Sequence, residues 1–360
     1  MSIISFRFEN KDNTWRFQET HFSPFNLLVG HSGVGKTRIL QALDIVSRAG
    51  TQNLLNSAAG CSWLLKLSID EHIYQWETRI ENTNKNPIFE EETITLNGNE
   101  LVTRKQIDET FIFNNKPLPK LNKTDSAITL LKDEETILPL YSNLRSFIFS
   151  INNEMQNNEL HEDLNDISFE DLQKQSDTPL IVKAYIIQQQ HKETFHRIQN
   201  KFIEIFATVN EIKIETKSGA TQEKISIFLT IHETGVNTPI HAYRISSGML
   251  RTLCFLFELA LAPKGSVFLV DEIENGLGVN CLPHIIDAMQ ERNDEVQFIL
   301  TSHHPYVINN IPYKDWKLVM RSGGEVWVKN ATDVRALQSQ SAHDQFIQLI
   351  NSPEYEEGIS

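Results

Sequence analysis

Gly30-His31-Ser32-Gly33-Val34-Gly35-Lys36-Thr37 reads G-x-x-x-x-G-K-[ST], residue types and spacing suited to cradling a phosphate. Glycines let the backbone turn tightly enough for several N–H groups to face one anion, and a helix starting there adds partial positive charge. Lys36 can then reach the β- and γ-phosphates of a nucleotide, Thr37 offers a hydroxyl to Mg2+, and Arg38 follows on the same turn. The flanks agree with this chemistry. Phe25–Val29 is a short apolar run that predicts a buried strand, and Ile39, Leu40, Leu43 and Val46 recur at helical spacing after the loop.

Three further segments carry groups such a loop would need. Ser266-Val267-Phe268-Leu269-Val270-Asp271-Glu272 is an apolar strand ending in two acids. Asp271 is placed to hold Mg2+, through water, and Glu272 to polarise a water attacking the γ-phosphate. Ile245-Ser246-Ser247-Gly248-Met249 opens an apolar helix 24 residues before Asp271. Ser246, Ser247 and Gly248 offer hydroxyls and free N–H groups at its positive end, although a plain serine cap is the commoner meaning of that pattern. Gln297-Phe298-Ile299-Leu300-Thr301-Ser302-His303 is another apolar strand, and His303 lies 32 residues beyond Asp271.

Taken in order, phosphate loop, Ser-Ser-Gly, Asp-Glu and Thr-Ser-His, the motifs resemble those of the ABC-type ATPase superfamily. Its non-transporter branch includes SMC proteins, RecF and the ATPase modules of the overcoming-lysogenization-defect (OLD) family. Asp271-Glu272-Ile273-Glu274-Asn275-Gly276-Leu277, Arg244–Arg251 and Thr301–Pro305 resemble the OLD-like Walker B and D-loop, signature motif and switch histidine. The resemblance spans about residues 1–50 and 240–330. It implies an α/β ATPase head, a mixed sheet with flanking helices and a helical insertion. It also implies ATP and Mg2+ as cofactors and a head-to-tail homodimer or higher homo-oligomer. In that dimer Gly30–Thr37 of one copy would face Ser246-Ser247-Gly248 of the other, with Lys36, Glu272 and His303 as catalytic groups. Two positions depart from the pattern. Gly278-Val279 follows the D-loop where relatives have His-Pro, and the glutamine loop has only Gln106 and the Asp125-Ser126 loop as candidates.

The full OLD-type enzyme appends a TOPRIM nuclease, whereas 57 residues follow His303 here, so no such nuclease is expected in this chain. The resemblance then implies a switch or scaffold ATPase serving a separate effector, a nuclease or toxin, in bacterial anti-phage defence. The alternative is a RecF- or SMC-like ATPase acting on DNA in repair. A transporter subunit is disfavoured by the Glu-Ile-Glu-Asn run and the helical insertion.

Residues 3–8, 14–18, 62–80, 93–96 and 101–104 read as strands, with Asn97-Gly98-Asn99 a hairpin turn. Helices are expected over Ala127–Leu131, capped by Asp125-Ser126, and along the stripe Phe195, Ile198, Phe202, Ile205, Phe206 and Val209. Residues 152–178 read as a loose connection. Strands are expected at 211–216, 225–232, 240–245, 266–271, 296–301, 316–320 and 325–329. Helices are expected at 250–262, 281–291, 305–310 and Asp344–Ile350. The expected organisation is residues 1–120 as the first part of the ATPase domain, 121–212 as a helical insertion, 213–330 as its second part and 331–360 as a helical tail.

The chain has 360 residues, three widely spaced cysteines and a net charge of −14. That cysteine pattern excludes a disulfide framework and points to the cytoplasm. No run of eighteen apolar residues occurs, so no membrane partner is expected. Residues 120–180 carry twelve acids against five bases, and 183–224 seven bases against five acids. A strongly basic platform for nucleic acid is therefore not expected, although DNA stays open as a partner of the local basic track.

Overall fold

The computed structural model describes residues 1–52, 55–82, 86–119, 121–150, 155, 158–160, 167–175, 178–218 and 225–334. The fold is mixed α/β, and the chain forms two compact units. The first comprises residues 1–149, 264–272 and the described residues from 293 onward; the second comprises 150–263 and 273–292.

The first unit is organised on a mixed sheet. At its functional end four strands run parallel in the order Val267–Val270, Gln297–Thr301, Phe25–Val29, Trp316–Ser322. The first three are buried at every residue, as strands covered on both faces must be, which is why they read as unbroken apolar runs. Their polar residues are satisfied locally. Asn26 donates to Ser23 O at 2.6 Å and Phe298 O at 3.0 Å, and Gln297 exchanges bonds with both Ile3 backbone groups at 2.7 and 3.0 Å.

Beyond Trp316–Ser322 the sheet continues through Glu325–Asn330, Trp15–His21 and Ser2–Asn10. It then meanders antiparallel through Cys61–Ile69, His72–Glu81, Ile88–Leu96, Asn99–Lys105, Thr110–Phe113 and Lys116–Pro117. Alternating burial marks the meander, as in His72–Glu81, where every second residue from Tyr74 to Ile80 is inside. Trp63, Trp76, Phe89 and Ile94 share one buried cluster with Ile39, Leu40, Leu43 and Val46 of the helix Lys36–Thr51. Burying those four helix side chains is worth on the order of 2 kcal/mol each, which anchors the helix that starts at the phosphate loop.

A buried ion pair ties the meander to the next helix. Glu92 and Arg104 approach to 3.5 Å with both side chains almost fully buried. Glu92 also accepts from Trp76 Nε1 at 3.1 Å and Ala127 N at 2.8 Å, while Arg104 donates to the carbonyls of Asn122 and Asp125. Burial pushes the Glu92 carboxyl up to about 7 against the opposing pull of Arg104. A native value above the unfolded one means this carboxyl contributes stability at low pH and loses it as pH rises through about 7. Arg104→Met removes the compensating charge. It is expected to cost about 3–5 kcal/mol near pH 8 and visibly less near pH 5, where Glu92 is protonated, by urea unfolding at the two pH values. Equal costs at both would mean Glu92 is not the charge being neutralised.

The second unit has its own antiparallel sheet, in the order Asn158–Leu160, Ile225–Glu233, Val209–Ser218, with Ile240–His241 also pairing Ile225–Glu233. The helices Leu180–Gln190 and Lys192–Ile205 contribute glutamines to the outer edge of Val209–Ser218. The Gln188 amide bonds both Ile214 N and Ile214 O, and Gln199 Oε1 accepts from Ile212 N. These side chains occupy backbone groups that an edge strand would otherwise leave open.

Several expectations change. Only Ile240–His241 of the expected strand 240–245 pairs as a strand, because Ala242–Arg244 winds into a 3-10 turn leading to Ser246. The amphipathic stripe ends at Ile205, and Val209 already starts a strand. Within 152–178 the chain forms the strand Asn158–Leu160 and the helix Phe169–Lys174, whose Ser168 hydroxyl caps Asp171 N. The expected helix Asp344–Ile350 lies outside the described residues.

Candidate functional site

The phosphate loop joins the end of Phe25–Val29 to the helix beginning at Lys36. Gly33 and Gly35 have φ of +85° and +107°, a backbone region in which a side chain would be strained. Lys36 is 5 % exposed, and its ammonium donates to Gly30 O at 2.7 Å and His31 O at 3.0 Å. The lysine is thus drawn back over the loop it belongs to, with its charge inside the turn. His31, Ser32 and Gly33 are exposed at the loop crest and Val34 is buried beneath it. Arg38 lies over the Trp15 ring, 5.4 Å from its centroid.

The acid strand meets this loop through side chains. Thr37 Oγ1 donates to Asp271 Oδ1 at 3.0 Å. Thr301 Oγ1 donates to the same oxygen at 2.7 Å and accepts from the Glu272 N–H at 2.7 Å. One hydroxyl therefore fixes both acids relative to each other. Glu272 itself has φ of +45°, uncommon for a side-chain-bearing residue, and its side chain is exposed. Strain of this kind persists where surrounding contacts over-determine the backbone, here the bond to Thr301. The Thr37 hydroxyl and Asp271 carboxylate form a hard-oxygen donor pair at one point, a set that fits Mg2+.

The strand Gln297–Thr301 runs on into Ser302, His303 and His304. His304 N donates to Ser302 Oγ at 3.0 Å, and His304 Nδ1 accepts from Tyr306 N at 3.2 Å, capping the short helix Pro305–Asn310. The two histidines have different settings, since His304 is spent on the cap while His303 is exposed beyond the strand.

The Ser-Ser-Gly segment belongs to the second unit. Ser246 Oγ accepts from Met249 N at 3.3 Å and so caps the helix Ser247–Leu261, while Ser246 and Ser247 are both exposed. The stretch after Glu272 packs beside it, since a Cβ added at Gly248 would lie 3.5 Å from Gly276 O and from Gly278 N. Two glycine-containing turns, 246–248 and 276–278, therefore run side by side.

Gly30–Thr37, Asp271, Glu272 and Thr301 converge in the first unit, with His303 following Thr301 at the same strand end. Thr301 belongs to the Thr-Ser-His segment, but its bonds to both acids are not implied by its type. A further residue lies outside every motif. Arg321, 288 positions from Gly33, donates Nη1 to Gly33 O at 3.1 Å, and nothing in its local sequence indicates that. Neither glutamine-loop candidate is placed at the phosphates. Ser126 Oγ bonds Gly50 O at 3.0 Å, near the far end of the helix that starts at Lys36, roughly 20 Å from it at 1.5 Å per residue. Gln106 sits in the turn after Asn99–Lys105, its N–H bonded to Glu90 O.

A family model described as "AAA domain, putative AbiEii toxin, Type IV TA system" matches residues 25–309. No curated protein matches the chain. Among solved structures, an SMC head bound to the C-winged helix domain of ScpA is similar at 14 % identity and a TM-score of 0.52, covering 91 % of this chain and 98 % of that one. The SMC head domain from Thermotoga maritima is similar at 13 % identity and a TM-score of 0.41, covering 92 % and 99 %. The mixed α/β fold is therefore that of the SMC head with the TM-score of 0.52. Among the described residues no helix is long and apolar enough to cross a membrane.

Proposed function

Because the chain belongs to this AAA-domain family of P-loop ATPases, we propose that it hydrolyses Mg-ATP in a head-to-tail dimer and serves as a switch for a separate effector. The observation that carries the reading is the Thr37–Asp271–Thr301–Glu272 chain of hydrogen bonds. It joins the phosphate loop to the two acids that follow Val267–Val270, across the intervening strand Gln297–Thr301, where a nucleotide's terminal phosphates would lie.

In this reading the N–H groups of Gly33–Thr37 and the Lys36 ammonium bind the β- and γ-phosphates. Thr37 and Asp271 hold Mg2+, which when bound neutralises charge developing between those phosphates. Glu272 accepts a proton from the attacking water, and His303 orients that water and senses the γ-phosphate. One loop leaves part of the γ-phosphate uncovered. The exposed Ser246 and Ser247, with Gly248, of a second copy supply hydroxyl and N–H donors for that face, so nucleotide state is linked to dimer geometry.

The effector is proposed to be a nuclease or toxin in bacterial anti-phage defence, in line with the OLD-like motif order. A net charge of −14 favours a protein effector over DNA as the direct target.

Ser247→Arg tests the composite site. Each subunit should still bind ATP within about twofold of the parent affinity, while turnover falls about a hundredfold because the donors facing the γ-phosphate are blocked. ATP titration alongside steady-state phosphate release measures both. Normal turnover in this variant would rule out the sandwich.

A further inference from the structure

Arg321 is the penultimate residue of the strand Trp316–Ser322, beside the phosphate loop, and its guanidinium makes two directional bonds. Nε donates to Gly323 O at 2.6 Å within its own hairpin turn, and Nη1 donates to Gly33 O at 3.1 Å. The first bond fixes the plane of the fork, and the second applies it to the crest of the loop. In a trans peptide the carbonyl of one residue and the N–H of the next point in opposite directions. A cation holding Gly33 O on the outer side of the loop therefore commits the Val34 N–H to the inner, phosphate-facing side.

That peptide needs such a hold. Gly33 has φ of +85° and belongs to the residue type with the least backbone restriction, and the next glycine follows after a single residue. The ψ of Gly33, one of the two torsions that turn this peptide, has no Cβ to restrict it, so the anchored carbonyl sets its orientation. The guanidinium also polarises the peptide, strengthening the N–H as a donor. The interior of the same turn is organised by Lys36, which takes the carbonyls of Gly30 and His31. The two cations thus hold different carbonyls of one loop, one from within the motif and one from a strand 288 residues away.

We propose that Arg321 is a positioning residue of the nucleotide site, keeping the Gly33–Val34 peptide oriented so that the Val34 N–H binds phosphate. This rests on the reading of Gly30–Thr37 as a nucleotide site. It extends that site to a residue outside every motif and predicts a defect in phosphate binding rather than in folding.

Calorimetric titration with Mg-ADP, on the full chain as wild type, Arg321→Ala and Arg321→Lys, tests it. Arg321→Ala is expected to bind about tenfold more weakly, the scale of one lost hydrogen bond to a charged group. Arg321→Lys should recover part of that loss, since one donor can still reach Gly33 O. The melting temperature without nucleotide should be the same in all three. With selective 15N-valine labelling, the Val34 amide resonance should move downfield with Mg-ADP in the wild type and distinctly less in Arg321→Ala. Unchanged ADP affinity in Arg321→Ala beside a binding wild type overturns this inference alone. So does a loss that lysine does not recover and that comes with an equal drop in nucleotide-free stability. A wild type that does not bind Mg-ADP overturns the site reading and this inference together.

Discussion

Lys36→Ala is expected to weaken ATP binding by about a hundredfold or more while leaving the fold intact. The ammonium is buried and already directed inside the turn by Gly30 O and His31 O. Its charge-assisted bonds to phosphate are expected to contribute about 2–3 kcal/mol, and each 1.4 kcal/mol is roughly tenfold in affinity. Removal also leaves two loop carbonyls facing an incoming anion without the cation between them, which adds to the loss. Arginine is no substitute, because a planar fork cannot occupy the point position of a compact ammonium. Equilibrium titration with ATP, with a thermal melt as the folding control, decides the matter. Unchanged affinity in a folded variant would overturn the phosphate-loop assignment.

The second large effect is expected at Glu272. Glu272→Gln keeps the shape of the side chain and cannot take a proton from water, so turnover should fall about 10²–10⁴-fold while ATP still binds. The substitution is clean because the backbone that places this residue is held independently of its side chain. Its N–H donates to Thr301 Oγ1, and Thr301 in turn donates to Asp271. The left-handed φ of +45° is therefore kept in the variant. Phosphate release gives the rate, and retention of labelled ATP gives the binding. Turnover within about threefold of the parent would place the base on another residue.

The parts of this site that were legible in the sequence are those whose chemistry is local. The phosphate loop needs its glycines, lysine and threonine within one turn, and the strands Val267–Val270 and Gln297–Thr301 declare themselves by unbroken apolar runs that end in polar groups. Asn97-Gly98 marked its hairpin, and Asp125-Ser126 its helix cap, for the same reason. The rest depends on which distant segments become neighbours. The bond from Arg321 to Gly33 exists only because Trp316–Ser322 lies parallel to Phe25–Val29 in the sheet. Gln188 and Gln199 look like ordinary helix-surface residues until an edge strand is placed beside them. Glu92 and Arg104 sit on separate strands, and they become a buried network only where Phe89, Phe111 and the helix at Ala127 close over them. The misjudged end of the strand at 240–245 has a local cause, since the chain must turn at Ala242–Arg244 to present Ser246 as a helix cap.

ATP is proposed to join two copies through each other's phosphate loops and Ser-Ser-Gly segments. Light scattering on the Glu272→Gln protein, with and without Mg-ATP, tests it most directly, because that variant is expected to hold ATP without consuming it. The predicted result is a mass near the 41.4 kDa of one chain without nucleotide and twice that with Mg-ATP. A mass that Mg-ATP leaves unchanged, in protein shown by titration to be ATP-bound, would rule out nucleotide-driven pairing.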